Sequence, residues 1–280
     1  MTPSDASPSD PEAGRNEAFW REYLMNPDSF QKTGRRLFVR IPADPRCQLC
    51  AAPFAGFGGR LMRVIGKQQS TSSPRMCNSC EKVLLKYHGG AEVPGSMLFA
   101  DIRGSTALAE RMSTSEFHAL LDRFYTAASG AVFANEGVVD KFVGDEVVAV
   151  FPPLLGENHA GRAVAGALAV LRATGHGDPE GPWVPVGAGV HTGLVWFGAL
   201  GEGDHVEITV VGDAVNTASR LAAQAGAGEV LVSVAAAAAA GVDPALERRS
   251  LELKGRQEAV EVVTLRAGSP PRVPSQGASR

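Results

Sequence analysis

No uninterrupted apolar run of 18 residues occurs in the 280-residue chain, and the nearest approach, around Val232 to Val242, is mostly alanine and reads as a short helix. Nothing in it is therefore expected to span a membrane. Residues Met1 to Gly14 are rich in Pro, Ser and Asp and lack the basic start and apolar stretch of a secretory signal, so a cytoplasmic protein is expected. Cysteine is scarce: the four present, Cys47, Cys50, Cys77 and Cys80, form two Cys-x-x-Cys pairs and leave none over. In a reducing compartment such pairs favour metal binding over disulfides. Extreme composition is also absent, since 44% hydrophobic and 20% charged residues suit a chain that buries a core.

What is present is unevenly distributed. Residues 31–90 hold eleven Lys or Arg against two acids, Asp44 and Glu81, a surplus of nine that leaves the rest of the chain near −12 against a net −3. This asymmetry predicts two units with different tasks. Composition divides the chain into a disordered tail over 1–14, a basic cysteine-bearing module over 15–93, an apolar-periodic domain over 94–266 and a second disordered tail over 267–280. The module contains an internal echo, Pro45-Arg46-Cys47-x-x-Cys50 against Pro74-Arg75-Met76-Cys77-x-x-Cys80, as if each turn supplied half of one metal site.

In the long domain, the apolar run Met97 to Ala100 reads as a buried strand ending at Asp101, and Gly104-Ser105-Thr106 breaks it. Ser113 with Glu116 resembles a capping box, and Phe117, Leu120, Leu121, Phe124, Ala128 and Val132 follow at helical spacing, which predicts a helix over about 114–134. Val138 to Val143 and Glu146 to Phe151 predict a hairpin with Asp145 at its tip. Helices over about 157–174 and 213–225 and strands near 184–200, 206–211, 229–233, 248–253 and 259–265 complete the domain. Strand, helix, hairpin, helix, strand is the order of a ferredoxin-like α/β sandwich with extra strands, an α+β fold.

Antiparallel neighbours could bring Asp101 and Asp145 to one edge of the sheet, where two hard oxygen ligands suit Mg²⁺ or Mn²⁺ and not zinc. Taken alone, strand-end aspartates are more often turn and cap formers. Their context is the wording Phe99-Ala100-Asp101-Ile102-Arg103-Gly104-Ser105-Thr106, then Lys141-Phe142-Val143-Gly144-Asp145, then Val211-Gly212-Asp213-Ala214-Val215-Asn216-Thr217-Ala218-Ser219-Arg220. These strings, in this order, resemble the catalytic domain of class III nucleotidyl cyclases, from about Ser96 to Leu265.

The resemblance implies that Asp101 and Asp145, with the Ile102 carbonyl, hold two divalent metals, Mg²⁺ or Mn²⁺, per active site. It implies that Asn216 orients the ribose and Arg220 stabilises charge growing on the α-phosphate; the two are four apart on one predicted helix and share a face. Lys141 occupies the base-selecting position where guanylate cyclases tend to carry glutamate, which points to ATP. Thr209 stands where many adenylate cyclases have aspartate, and Lys254 matches a lysine that contacts the triphosphate. In the family one site takes residues from two subunits, so a homodimer with interfacial sites is implied.

Two Cys-x-x-Cys pairs have the spacing of a closed structural zinc site, a small zinc-ribbon-like module, with an iron–sulfur centre as the other option. Arg60, Arg63 and Lys67 between the pairs could meet nucleic acid or anionic lipid, or the module could dock on its own acidic domain. Trp20, Tyr23 and Phe30, at helical or near-helical spacing, are expected to pack as core. The expected activity is conversion of ATP to cyclic AMP. The alternatives are a guanylate cyclase, or a zinc-ribbon binding protein that uses the cyclase fold as a nucleotide sensor.

Overall fold

The structure, a computed structural model, describes residues 11–26, 29–41, 45–201, 206–252 and 259–268. The chain divides into two compact units, one formed by 1–93 with 196–211 and the other by 94–195 with 212–280. The expected disordered tails fall mostly outside the described residues, although the first helix begins at Pro11, inside the stretch expected to lack structure.

The first unit contains α1 (Pro11–Met25), α2 (Ser29–Val39), α3 (Gly56–Val64) and α4 (Asn78–Lys86), which leads directly into β1 (Gly89–Ile102). Its core forms around Trp20, which is fully buried. The indole N–H, which needs a partner when desolvated, donates to the Tyr87 carbonyl at 2.6 Å, and the ring lies 6.0 Å from Phe197. Phe19 stacks on Tyr87 at 3.7 Å and on Tyr23 at 5.7 Å. The α1 side chains Asn16 and Arg21 donate to the carbonyls of His88 and Glu92, at 2.8 and 3.1 Å. The Phe30 side chain lies outside the described residues.

In the same unit β5 (Glu207–Val211) pairs antiparallel with the end of β4 (Val186–Leu200), Gly198 opposite Thr209. Gly198 and Gly90 allow strands β1 and β4 to meet there, because a Cβ on Gly198 would fall 2.4 Å from the Gly90 Cα.

The second unit is built on strands in the order β2-β3-β1-β4-β6-β8-β7, where β2 is Val138–Val143, β3 Glu146–Phe151, β6 Glu229–Ser233, β7 Arg248–Leu251 and β8 Val260–Arg266. Pairing is antiparallel for β1 with β3, β2 with β3, β6 with β8 and β7 with β8, and parallel for β4 with β6. One face of the sheet is covered by α6 (Thr114–Ala134), α7 (His159–Ala173) and α9 (Val234–Ala240). Their residues Phe124, Ala128, Val132, Leu168, Leu171 and Ala236 share one core with strand residues such as Leu98, Ala149, Val190 and Val232.

On the opposite face Leu221 of α8 (Asp213–Gln224) packs with Leu231 and Val262. Gly189 lets this helix touch the sheet backbone, since a Cβ there would meet Ala222 N at 2.3 Å. The expected capping box of α6 is formed: Ser113 Oγ accepts from the Glu116 N–H, and the Glu116 carboxylate accepts from the Ser113 N–H at 2.8 Å. Residues read as a plain break after Asp101 instead include a short helix, α5 (Ser105–Arg111). Gly104 is left-handed before it, at φ +69, which frees the following Ser105 to start a new turn.

Candidate active site

Asp101 lies near the end of β1, and the β1–β3 register places it opposite Glu146. Asp145 follows Gly144 in the two-residue turn between β2 and β3, where Gly144 takes φ +60, the left-handed value that suits the first turn position of a tight hairpin. The Tyr125 hydroxyl on α6 donates to the Gly144 carbonyl, and its ring stacks on Phe142 at 4.2 Å, so the helix braces the turn. The backbone joins the two acids as well: Ile102 N–H donates to the Asp145 carbonyl at 3.3 Å.

Three carboxyl groups thus crowd one sheet edge. Burial, then the adjoining Asp145 carboxyl, push Asp101 up to about 6, with Arg103 acting in the opposite sense. Burial, then the charges of Asp101 and Asp145, push Glu146 up to about 7. One oxygen of Asp101 pairs with Arg103, whereas the other, Oδ1, is buried with no hydrogen-bond partner among the described residues. A buried carboxylate oxygen without a donor is costly, and a divalent cation would satisfy it. These residues fit Mg²⁺ or Mn²⁺.

Sequence reasoning does not single out Glu146. The signal available is its place beside Asp145 and, once the strands are aligned, across from Asp101. Arg103 is passed over in the same way. Its guanidinium spans from Asp101 to the carbonyls of Ala223 and Ala225 at 3.2 and 3.4 Å, tying the Asp101 strand to the end of α8.

Lys141 is on β2 directly after a bulge, for the register shifts between Val139 and Lys141 and leaves Asp140 as the extra residue. Bulges re-aim side chains near functional sites; here the Lys141 ammonium lies 3.6 Å from the buried Asp140 carboxylate. On α8, Ala214, Thr217, Ala218, Leu221 and Ala222 form the buried face, while Asn216 is exposed and Arg220 partly exposed. Thr209 is buried on β5 in the first unit. Lys254 lies outside the described residues. The structure therefore brings Asp101, Ile102 and Asp145 together, and sets Lys141 and the Asn216–Arg220 pair on β2 and α8.

The family model described as "Adenylate and Guanylate cyclase catalytic domain" matches residues 92–266. This chain belongs to that family. The chain is similar to an adenylate cyclase of Anabaena cylindrica, 28% identical over 188 residues, which are 61% of this chain and 36% of that one. It therefore spans about a third of that relative's length. Among solved structures, the adenylyl cyclase CyaB from P. aeruginosa is 26% identical with a TM-score of 0.54, covering 62% of this chain and 94% of that one. The guanylyl cyclase Cya2 shares the fold, with a TM-score of 0.56 at 24% identity over 66% of this chain and 98% of that one. The α+β architecture is that of the class III cyclases.

The first unit of this family member carries four cysteines placed so that they could hold a metal ion. The Sγ atoms of Cys47, Cys50, Cys77 and Cys80 all lie within 4.8 Å of one another, Cys50 and Cys77 at 3.7 Å, and none is in a disulfide. The two expected turns do face each other, Gln48 N–H donating to the Arg75 carbonyl at 2.9 Å. Backbone N–H groups of Cys77 and Cys80 point at the sulfurs of Cys47 and Cys77 at 3.3 and 3.4 Å. Cys77 caps α4, so the helix N-terminus adds its positive end. Hydrogen bonding from Cys47 and the other neighbours holds Cys77 well below the ordinary thiol range, while sharing protons with Cys50 and with Cys47 respectively pushes Cys47 and Cys80 above it. Burial and the adjacent sulfurs raise the Tyr23 hydroxyl. Among the described residues no helix is long and apolar enough to cross a membrane.

Proposed function

We propose that this cyclase converts ATP to 3′,5′-cyclic AMP and pyrophosphate in a homodimer. The observation that carries this reading is the Asp101–Asp145 pair with a buried, partnerless Asp101 Oδ1, in a chain whose base-selecting position is Lys141. Asp101, Asp145 and the Ile102 carbonyl would hold two Mg²⁺ or Mn²⁺. When bound, these ions lower the pKa of the ribose 3′-hydroxyl and neutralise the triphosphate. The 3′-hydroxyl gives its proton to solvent, its oxygen attacks the α-phosphorus, an O3′–P bond forms, and the bond to the pyrophosphate oxygen breaks as pyrophosphate leaves.

The remaining work falls to side chains of this chain. Lys141 donates to adenine N1, and the Thr209 hydroxyl accepts from the adenine amino group, an uncharged contact weaker than a carboxylate would make. Asn216 orients the ribose, Arg220 donates to the charged α-phosphate, and Lys254 meets the triphosphate. In a homodimer the metal-holding residues of one copy face Lys141, Thr209, Asn216 and Arg220 of the other. Exposed Phe142 and Val143 beside the Asp145 turn support this, as apolar area a second copy would cover.

The four cysteines support a single tetrahedral zinc, because sulfurs at a Zn–S bond length of roughly 2.3 Å lie about 3.8 Å apart, close to the 3.7 Å between Cys50 and Cys77. A cluster of two or four irons spreads its thiolates further. Thr209 in place of aspartate favours a second reading, turnover of GTP. Rates on ATP and on GTP with Mn²⁺, for wild type and Lys141→Glu, test both. Faster ATP turnover that Lys141→Glu shifts toward GTP is expected, and a wild type that makes no cyclic nucleotide from either would sink the proposal.

A further inference from the structure

Helix α3 has apolar residues on two opposite sides. Gly58, Gly59 and Met62 are buried within the first unit, the glycines so tightly that a Cβ would fall 2.8 Å from Ile41 and 2.3 Å from the Phe54 carbonyl oxygen. On the other side Phe57, Leu61 and Val64 recur at i, i+4 and i+7, and Ile65 continues the stripe. Their exposures are 80, 45, 83 and 57%. At roughly 100° per residue the first three fall within about 60° of one another, facing away from the buried set. Arg60 and Arg63 line one flank, and among the described residues neither has an ion-pair partner.

A helix held down by one apolar face normally turns polar residues to water. Single exposed apolar side chains are ordinary, but four contiguous ones at these exposures mark an interaction surface. We propose that this face docks the protein on an anionic membrane surface, with Phe57, Leu61, Val64 and Ile65 entering the headgroup boundary and Arg60 and Arg63 meeting lipid phosphates. Charge complementarity selects this occupant: the helix lies in the 31–90 segment with its surplus of nine positive charges, and basic flanks around an apolar stripe are the pattern of an interfacial helix. A second copy would set Arg60 and Arg63 against themselves, and nucleic acid would leave the aliphatic stripe against phosphate. Because Gly58 and Gly59 already fix the helix against its own unit, docking needs no prior folding of this segment.

The test is flotation of the full-length protein with phosphatidylcholine vesicles and with equimolar phosphatidylcholine–phosphatidylglycerol vesicles, at low and high salt. Binding to the anionic vesicles alone, weakened by salt, is expected. Phe57→Ser with Val64→Ser should reduce partitioning at least about tenfold, and Arg60→Gln or Arg63→Gln about fivefold each. Zinc content, circular dichroism and vesicle-free ATP turnover, unchanged in all variants, show that the fold is intact. Wild type that remains unbound, or binding that survives the serine variants, overturns the proposal. So does self-association in solution that Phe57→Ser abolishes, which assigns the face to a second copy. Competition by heparin or DNA that does not require Phe57 overturns it in favour of nucleic acid.

Discussion

The cysteine group and the carboxylate group reach their geometry by opposite routes. The four sulfurs come from two short turns about thirty residues apart and are packed within 4.8 Å of one another. The carboxylates of Asp101 and Asp145 are set by strand register over a sheet, remain partly exposed, and keep Asp101 Oδ1 without a partner. A closed thiolate site stores folding energy, whereas an open carboxylate site stores unsatisfied charge that a substrate-bound metal can use. Breaking one should cost structure, and breaking the other should cost chemistry.

The largest effect on turnover is expected from Asp101→Ala. Losing a metal ligand forfeits several kcal/mol of transition-state charge stabilisation, on the order of 10³ in rate. Cyclic nucleotide assays should show that loss while the melting temperature of the metal-free protein holds or rises, because one of three crowded acids is gone. A variant that melts far earlier would mean that Asp101 is structural.

Cys77→Ser should do the reverse. Small zinc modules draw roughly 10–16 kcal/mol of apparent metal-binding free energy at neutral pH, more than a module of this size holds in its core. Elemental analysis should find the zinc lost, and limited proteolysis should find new cleavage within residues 15–93. Removal of Mg²⁺ by a mild chelator should leave the wild-type circular dichroism as it was. If the serine variant retains both metal and protease resistance, the contrast between the sites collapses.

Next comes Arg220→Ala, with a loss of about 100-fold in kcat. Its sharper use is in combination: Asp101→Ala and Arg220→Ala protein, mixed in equal amounts and allowed to exchange subunits, should recover about a quarter of wild-type activity if each site draws on both copies of a two-fold dimer. No recovery under verified exchange would place both residues in one copy's site.

What could be read from the sequence follows from how local each signal is. The capping box at Ser113 and Glu116, the β-rich stretches Val138–Val143 and Glu146–Phe151 around Gly144-Asp145, and the apolar helical stripe after Phe117 are contained within a few residues, and the structure has elements at those places. The Cys-x-x-Cys turns are equally local. Glu146 and Arg103 escape such a reading because their roles depend on register and on the approach of α8, which no short window contains. The early half of β1 escapes it because Gly89 to Pro94 has no apolar run and holds two glycines and a proline; the close approach of Gly90 and Gly198 lets it lie beside β4 as a strand. Helix α3 hides its exposed stripe because Phe57, Leu61 and Val64 look like core until Gly58, Gly59 and Met62 are seen to fill that role.

The smallest effect separates both ion sites from the rest of the cyclase domain. His176 is buried, and its Nε2 accepts the Val186 N–H at 2.9 Å, a bond that requires the neutral ring. Burial lowers its pKa, and burial followed by the Arg162 charge lowers that of His159, whose Nδ1 lies 2.9 Å from Ser96 Oγ. A folded-state pKa below the unfolded value means that the unfolded chain takes up the proton first as pH falls. Stability is therefore intact above about pH 6.5 and declines below it. The crowded acids Asp101 and Glu146 act in the opposite sense, losing stability as pH rises, so the melting series belongs in saturating Mg²⁺. There the melting temperature should drop by a few degrees toward about pH 5.5. His176→Gln, whose amide oxygen accepts the same N–H without titrating, should flatten that slope, and Asp101→Ala should leave it unchanged. A slope that Asp101→Ala removes and His176→Gln does not would move the pH response from the core to the metal site.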